Sequence, residues 1–170
     1  AEDYDVEATR EHLERIGRDP SAAHVPKYAS AHLHAHTGCP SAVAQTFAPA
    51  ASEARQMGQA SALGQWPVQL ALMPPTAPYF QGADLLVTAD CVPFSHADYH
   101  ADLLAGKAVV VACPKLDNAE FHTAKLAAIL SASDIQSITV AIMEVPCCSG
   151  LVRITRQALS QSGKDIPLDV

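Results

Sequence analysis

Three apolar, strand-like runs in this chain each end at a cysteine. Asp84–Asp90 reads DLLVTAD and delivers Cys91, and Lys107–Ala112 reads KAVVVA and delivers Cys113. Ser137–Pro146 reads SITVAIMEVP and delivers the adjacent pair Cys147–Cys148. In an open parallel sheet, ligand sites form just beyond the carboxyl ends of the strands. Neighbouring strands lie about 4.8 Å apart. Thiols at such exits can therefore converge on one small object. Thiolate is a soft ligand that suits iron–sulfur clusters, copper(I) or zinc. Cys39, in GCPSA, is the fifth thiol.

The spacing is wide, whereas ferredoxins use tight local ligand runs. A sheet edge can still collect residues that are distant in sequence. A polynuclear cluster tolerates ligands spread over several ångströms, while a single zinc ion needs sulfurs about 3.8 Å apart. Prolines adjoin the thiols at Cys39-Pro40, Cys113-Pro114 and Pro146-Cys147. They break regular structure and leave backbone N–H groups available to cluster sulfur. The plainer reading is a set of buried apolar cysteines at strand ends. The vicinal pair runs into Ser149-Gly150 and a helix start, and a helix N-terminus favours thiolate. Five thiols exceed the four of a cubane. Cys39, Cys91, Cys113 and Cys148 are the favoured four, with Cys147 second-shell, packed, or part of a non-cubane or heterometal cluster.

Other polar residues compete for roles. His32, His34 and His36 alternate in AHLHAHTGC, so an extended segment would put all three imidazoles on one face. Such a face can hold zinc, nickel or copper, or can be a solvated polar strip. His96, His100 and His122 read as surface or capping residues. Asp90 and Asp117 flank the proposed site in TADC and PKLDN. Either carboxylate can take a proton during redox or orient Lys115. The plainer roles are capping and turn formation. Lys115 can compensate the charge of an anionic cluster. Trp66 reads as core.

The elements around these residues imply a single α/β domain, with a mostly parallel sheet and helices on its faces, Rossmann-like or flavodoxin-like. Residues 1–41 read as an N-terminal helix (Glu7–Gly17) and a His-rich segment, 42–61 as a mobile linker, and 62–170 as the α/β domain. Within the last, Pro67–Met73 is a strand candidate and His96–Ala105 a short helix. Asn118–Ser131 reads as an amphipathic helix with Phe121, Leu126, Ala127 and Leu130 on one face, and Leu151–Gln161 as another helix. KAVVVA, the most apolar strand, is expected at the sheet centre. The chain has 170 residues and a net charge of −7, with no basic stripe or aromatic platform, so nucleic acid is not an expected partner. No run approaches the roughly 18 apolar residues of a membrane span, and no secretory signal is visible. The odd thiol count and the vicinal pair argue for reduced cysteines and a cytoplasmic setting. The chain starts without Met, which reads as a piece of something longer. No GxSxG, P-loop or dinucleotide fingerprint occurs.

The strings GCPSA, LGQWPVQLALMPPTAPYF, GADLLVTADCVPF, ACPKLDNAEF and MEVPCCSGLVRI resemble those of an anaerobe family of ferredoxin-type, 4Fe-4S-binding proteins. The resemblance covers about Gly38 to Pro167. It implies a second, Cys-bearing α/β domain that follows an N-terminal ferredoxin module, and no CxxCxxC run for such a module is present here. It implies an iron–sulfur cofactor held by Cys39, Cys91, Cys113, Cys147 and Cys148, with Lys115 and Asp90 beside it. The expected partner is a redox protein or the missing ferredoxin module. The expected function is electron transfer or redox chemistry rather than that of a stand-alone enzyme. A thiol-redox enzyme using Cys147–Cys148 and a metal-storage or delivery module are the alternatives.

Overall fold

The structure, a computed structural model, describes residues 44–47 and 61–170. Four parallel strands form the main sheet: β3 (Asp84–Ala89), β4 (Ala108–Ala112), β5 (Ser137–Ala141) and β6 (Leu168–Asp169), in the spatial order β4-β3-β5-β6. A separate antiparallel pair joins β1 (Gln45–Thr46) to β2 (Gln65–Trp66). The register runs Leu85 to Ala108 and Ala89 to Ala112 on one side of β3, and Leu85 to Ile138 and Thr88 to Ala141 on the other. Parallel pairing puts the carboxyl ends of β3, β4 and β5 on one edge. This is the Rossmann-like α/β architecture expected from the alternation of apolar strands and helices.

The centre of the sheet is β3, not β4. Leu85, Leu86, Val87 and Thr88 are sealed from solvent on both faces. The expectation that KAVVVA lies at the centre fails for a physical reason: β4 is the outer strand, but another segment covers its free edge. The Gln65 side chain donates from Nε2 to the Val109 carbonyl at 2.9 Å and accepts the Val109 N–H at 3.1 Å. The Val111 N–H donates to the Val68 carbonyl at 2.8 Å. Covering an edge strand removes the hazard of its unpaired backbone groups, and it also makes that strand apolar on all sides.

Pro67–Met73 accordingly forms no full strand. Gln69 makes one bridge to Val111, and Leu70–Leu72 is a 3-10 turn that buries Leu70 and Met73. Trp66 is 37% exposed and is not core. β5 ends at Ala141, five residues before Pro146, so Cys147 is carried by a loop. His96–Ala105 is not one helix. A four-residue α1 (Val92–Ser95) precedes it, and a π-type turn covers His100–Leu104.

Two long helices complete the layers. In α2 (Ala119–Ala132), Asn118 caps the first turn by accepting the Phe121 N–H at 2.9 Å. Of the expected face, Leu126, Ala127 and Leu130 are buried and Phe121 is only half-buried, while His122 and Ile129 join the buried side. α3 (Ser149–Ser162) packs against α2 and ends at Gly163, whose φ of 69° supplies the left-handed cap that side-chain-bearing residues resist. Of the proposed segments, 1–41 lies outside the described residues, and 42–61 is described only at 44–47 and Ser61. No helix among the described residues is long and apolar enough to cross a membrane.

Candidate functional site

The strand order β4-β3-β5-β6 sends the chain one way from β3 to β4 and the other way from β5 to β6. Connections that diverge from adjacent strands open a crevice between them at their carboxyl ends, the usual ligand site of doubly wound sheets. Cys91 lies two residues beyond β3, and Cys147–Cys148 lie in the loop beyond β5. These thiols flank the crevice. Cys113 directly follows β4 on the same edge. Cys39 and His32, His34 and His36 lie outside the described residues.

Local hydrogen bonds hold each thiol-bearing loop. The Cys91 carbonyl accepts the Ser95 hydroxyl at 2.7 Å. The Cys113 N–H donates to Asp117 Oδ2 at 2.9 Å, and the Asp117 N–H returns to the Cys113 carbonyl at 3.0 Å, closing a five-residue turn. Turn formation, the plainer of the two roles expected for Asp117, is what its carboxylate does. The Cys148 N–H donates to the Val145 carbonyl at 3.1 Å.

The four thiols are free, and their exposure differs. Cys91 and Cys147 are exposed, Cys113 is half-buried, and Cys148 is only 5% exposed. Burial pushes the Cys148 thiol up, despite a hydrogen bond from the Met143 backbone, and the neighbouring Cys147 and Cys91 push it further. The expectation that the start of α3 would favour thiolate therefore fails at Cys148. Desolvation outweighs the helix terminus, because the thiol is enclosed and has other sulfurs for neighbours. The same interactions put Cys91 and Cys147 within electrostatic reach of Cys148.

A polar group that the sequence reading missed lies behind these loops. His122, read as a surface residue, is 2% exposed. Its Nδ1 stands 3.8 Å from Asp117 Oδ2 and has no hydrogen-bond partner, and neither has the buried Asp90 Oδ1. Burial holds the imidazole below its ordinary range, with Asp117 and Asp90 pulling the other way. Asp90 is raised by burial first and then by the charge of Asp117, while a hydrogen bond from Gln69 opposes both. Asp90 therefore caps no helix. Its position directly before Cys91 and the i, i+4, i+7 spacing of His122, Leu126 and Ile129 were the signals available. His96 is exposed and pairs with Asp102 at 3.1 Å, and His100 Nδ1 accepts the Ala62 N–H at 3.1 Å.

Lys115 is exposed at the rim of a cavity of about 450 Å³ that also reaches Cys147, Gly150 and Arg153. Each exit loop carries an exposed apolar side chain: Phe94 at 93%, Leu116 at 82%, and Val145. Among the described residues, no three His, Cys, Asp or Glu side chains surround a point that one metal ion could occupy.

Comparison with known proteins assigns the fold family. An uncharacterized protein of Archaeoglobus fulgidus is 33% identical over 100 residues, which is 59% of this chain and 70% of that protein. No solved structure matches the chain. A family model described as a Rossmann-like domain matches residues 77–170, more than half of the chain. These matches overturn the resemblance to ferredoxin-type 4Fe-4S proteins, since they lead to a Rossmann-like domain and an uncharacterized relative, with no ferredoxin family among them. Three of the motifs behind that resemblance, GADLLVTADCVPF, ACPKLDNAEF and MEVPCCSGLVRI, run through strand-exit loops of the sheet, and the chain belongs to the Rossmann-like domain family.

Proposed function

We propose that this protein holds a polynuclear iron–sulfur cluster, cubane or heterometal, at the crevice edge of its sheet and serves electron transfer or redox chemistry. The single observation behind this reading is the convergence of Cys91, Cys147 and Cys148 at the point where the strand order reverses, with Cys113 one strand away. Sulfide-bridged clusters have width of their own, so they suit thiols that do not surround a single ion. Cys39 is the further candidate ligand.

When bound, the cluster supplies one-electron chemistry. The chain's own residues bind, orient and shield. The turn closed by Asp117 fixes the direction of Cys113. The Met143 N–H already points at the Cys148 sulfur, the kind of hydrogen bond that tunes metal–thiolate sites. Lys115 supplies positive charge at the rim, and Asp90 supplies a carboxyl group whose proton affinity burial raises. The apolar Phe94 and Leu116 on the exit loops suit docking of a redox partner protein close to the thiols. The setting that matches reduced thiols is the cytoplasm.

Metal analysis tests the proposal. Protein reconstituted anaerobically should be brown and contain iron and acid-labile sulfide. Cys113→Ser should lose most of both while melting normally, because serine is a hard and poorly ionised ligand. Cys147→Ser and Cys148→Ser should differ, since one thiol is exposed and the other enclosed. Colourless protein that binds no iron under these conditions would remove the cluster.

A second reading has one observation in its favour. The Cys147 and Cys148 thiols are adjacent, and Cys147 pushes the Cys148 thiol up. As a thiol-redox pair they would join by a sulfur–sulfur bond, losing two protons and passing two electrons to a disulfide-bearing partner. Retention of activity in iron-free protein, with loss in either single serine variant, would select it.

A further inference from the structure

We infer that the cavity between the Cys113–Glu120 loop and the first turns of α3 is a second binding site, one for a small organic oxyanion, placed so that the ligand lies against Cys147. The inference goes beyond the cluster reading and does not depend on what the thiols hold.

The cavity has about 450 Å³, a volume typical of a small-molecule site. Its wall brings together Lys115, Arg153, Glu120, Cys147 and Gly150. Among the described residues, neither the Lys115 ammonium nor the Arg153 guanidinium makes an ion pair or a hydrogen bond. Two cations facing one concavity without a partner leave an anion as the complementary occupant. The guanidinium suits a bidentate contact with carboxylate or phosphate, and the ammonium adds a point charge.

Gly150 narrows the chemistry further. A Cβ there would lie 2.8 Å from Pro114 Cβ and 3.7 Å from Arg153 Nη2. Only glycine lets the start of α3 approach the Pro114 loop this closely, beside the Arg153 guanidinium. α3 begins at this wall without a side-chain cap and with no acidic residue in its first turn, so nothing on that helix end competes with an incoming anion. Glu120 is the one opposing charge. It suits a ligand whose far end carries a hydroxyl or amino donor, and it disfavours a ligand that is anionic at both ends.

The occupant is thus a singly headed phosphate or carboxylate compound, with its charged head on Lys115 and Arg153 and its body along Thr123 and Ile154. Cys147 shares the wall, so the ligand lies beside an exposed thiol of the redox edge.

Titration of the full-length, metal-free chain with glycerol phosphate and with lactate tests this without reference to iron. Saturable binding with a shift of the Gly150 amide resonance is expected for at least one of the two. The tighter of them identifies the head group as phosphate or carboxylate. Lys115→Gln/Arg153→Gln should weaken it about tenfold or more, in line with loss of charge-assisted hydrogen bonds. Lys115→Arg/Arg153→Lys should retain it, and unchanged melting of both variants secures the fold. The site is refuted if neither compound saturates below about 10 mM, or if the Gln variant binds as tightly as the parent, which would mean surface association only.

Discussion

The two edges of the sheet are built differently. At the amino edge, side chains and backbone tie the connections together. The Gly82 N–H donates to the Asp134 carbonyl at 2.9 Å, the Gln136 N–H to the Ala83 carbonyl at 2.9 Å, and the Asp134 N–H to Gln81 Oε1 at 3.2 Å. The Ser137 hydroxyl donates to Asp84, and Lys164 Nζ donates to the Ser133 carbonyl. Among the described residues, the three positive-φ glycines, Gly82, Gly106 and Gly163, lie in the turns that lead into β3, β4 and β6. At the carboxyl edge there are no such glycines. There stand four thiols, three exposed apolar side chains, and buried polar atoms of Asp90 and His122 without partners. One edge is optimised for closure. The other keeps groups that cost stability and can bind. Parallel sheets permit this division because every crossover returns the chain to the same edge.

Five changes would break or sharpen that contrast. Leu86→Ala removes a fully buried side chain from the strand that carries both edges, and should cost about 2–5 kcal/mol in a denaturant titration. Phe94→Ser, at the carboxyl edge, should change stability by less than about 0.5 kcal/mol and alter only partner binding. A large stability loss at Phe94 would mean that the carboxyl edge is structural after all.

Gly163→Ala at the amino edge should cost about 1 kcal/mol, because alanine resists the left-handed conformation. It should leave iron uptake unchanged, and a parallel loss of iron would show the two edges to be coupled. Lys125→Met is expected to stabilise by about 1 kcal/mol. Its side chain is 2% exposed on α2, burial holds the amine below its ordinary value, and no hydrogen bond or ion pair among the described residues engages that side chain.

The smallest effect is in pH. The His122 imidazole is lowered in the folded state, so the unfolded chain takes up its proton first as pH falls. Stability should therefore decline as pH drops from 7 through the ordinary histidine value near 6.5. Asp90 is raised, so the folded state holds its proton more readily, and that gain opposes the decline at lower pH. His122→Leu should flatten the slope below pH 7 in thermal melts. An unchanged slope would assign it to other groups.

Much of this architecture was legible in the chain itself. Apolar runs of five or six residues followed by helical segments specify parallel strands with crossovers, and parallel strands place Cys91, Cys113 and Cys147–Cys148 on one edge. Local chemistry is readable too: Asn118 as a cap and Gly163 as a stop follow from side-chain type alone. The tertiary structure decided what depends on neighbours far away in sequence. KAVVVA looks central because it is apolar throughout, but Gln65 and Val68, more than forty residues earlier, cover its edge and let it be outermost. His122 looks polar and exposed, yet helix rotation points it inward toward Asp117 and Asp90. The start of α3 promises a reactive thiolate, and burial reverses that at Cys148. Sequence period sets which residues alternate, whereas strand order, edge cover and desolvation arise only when distant segments meet.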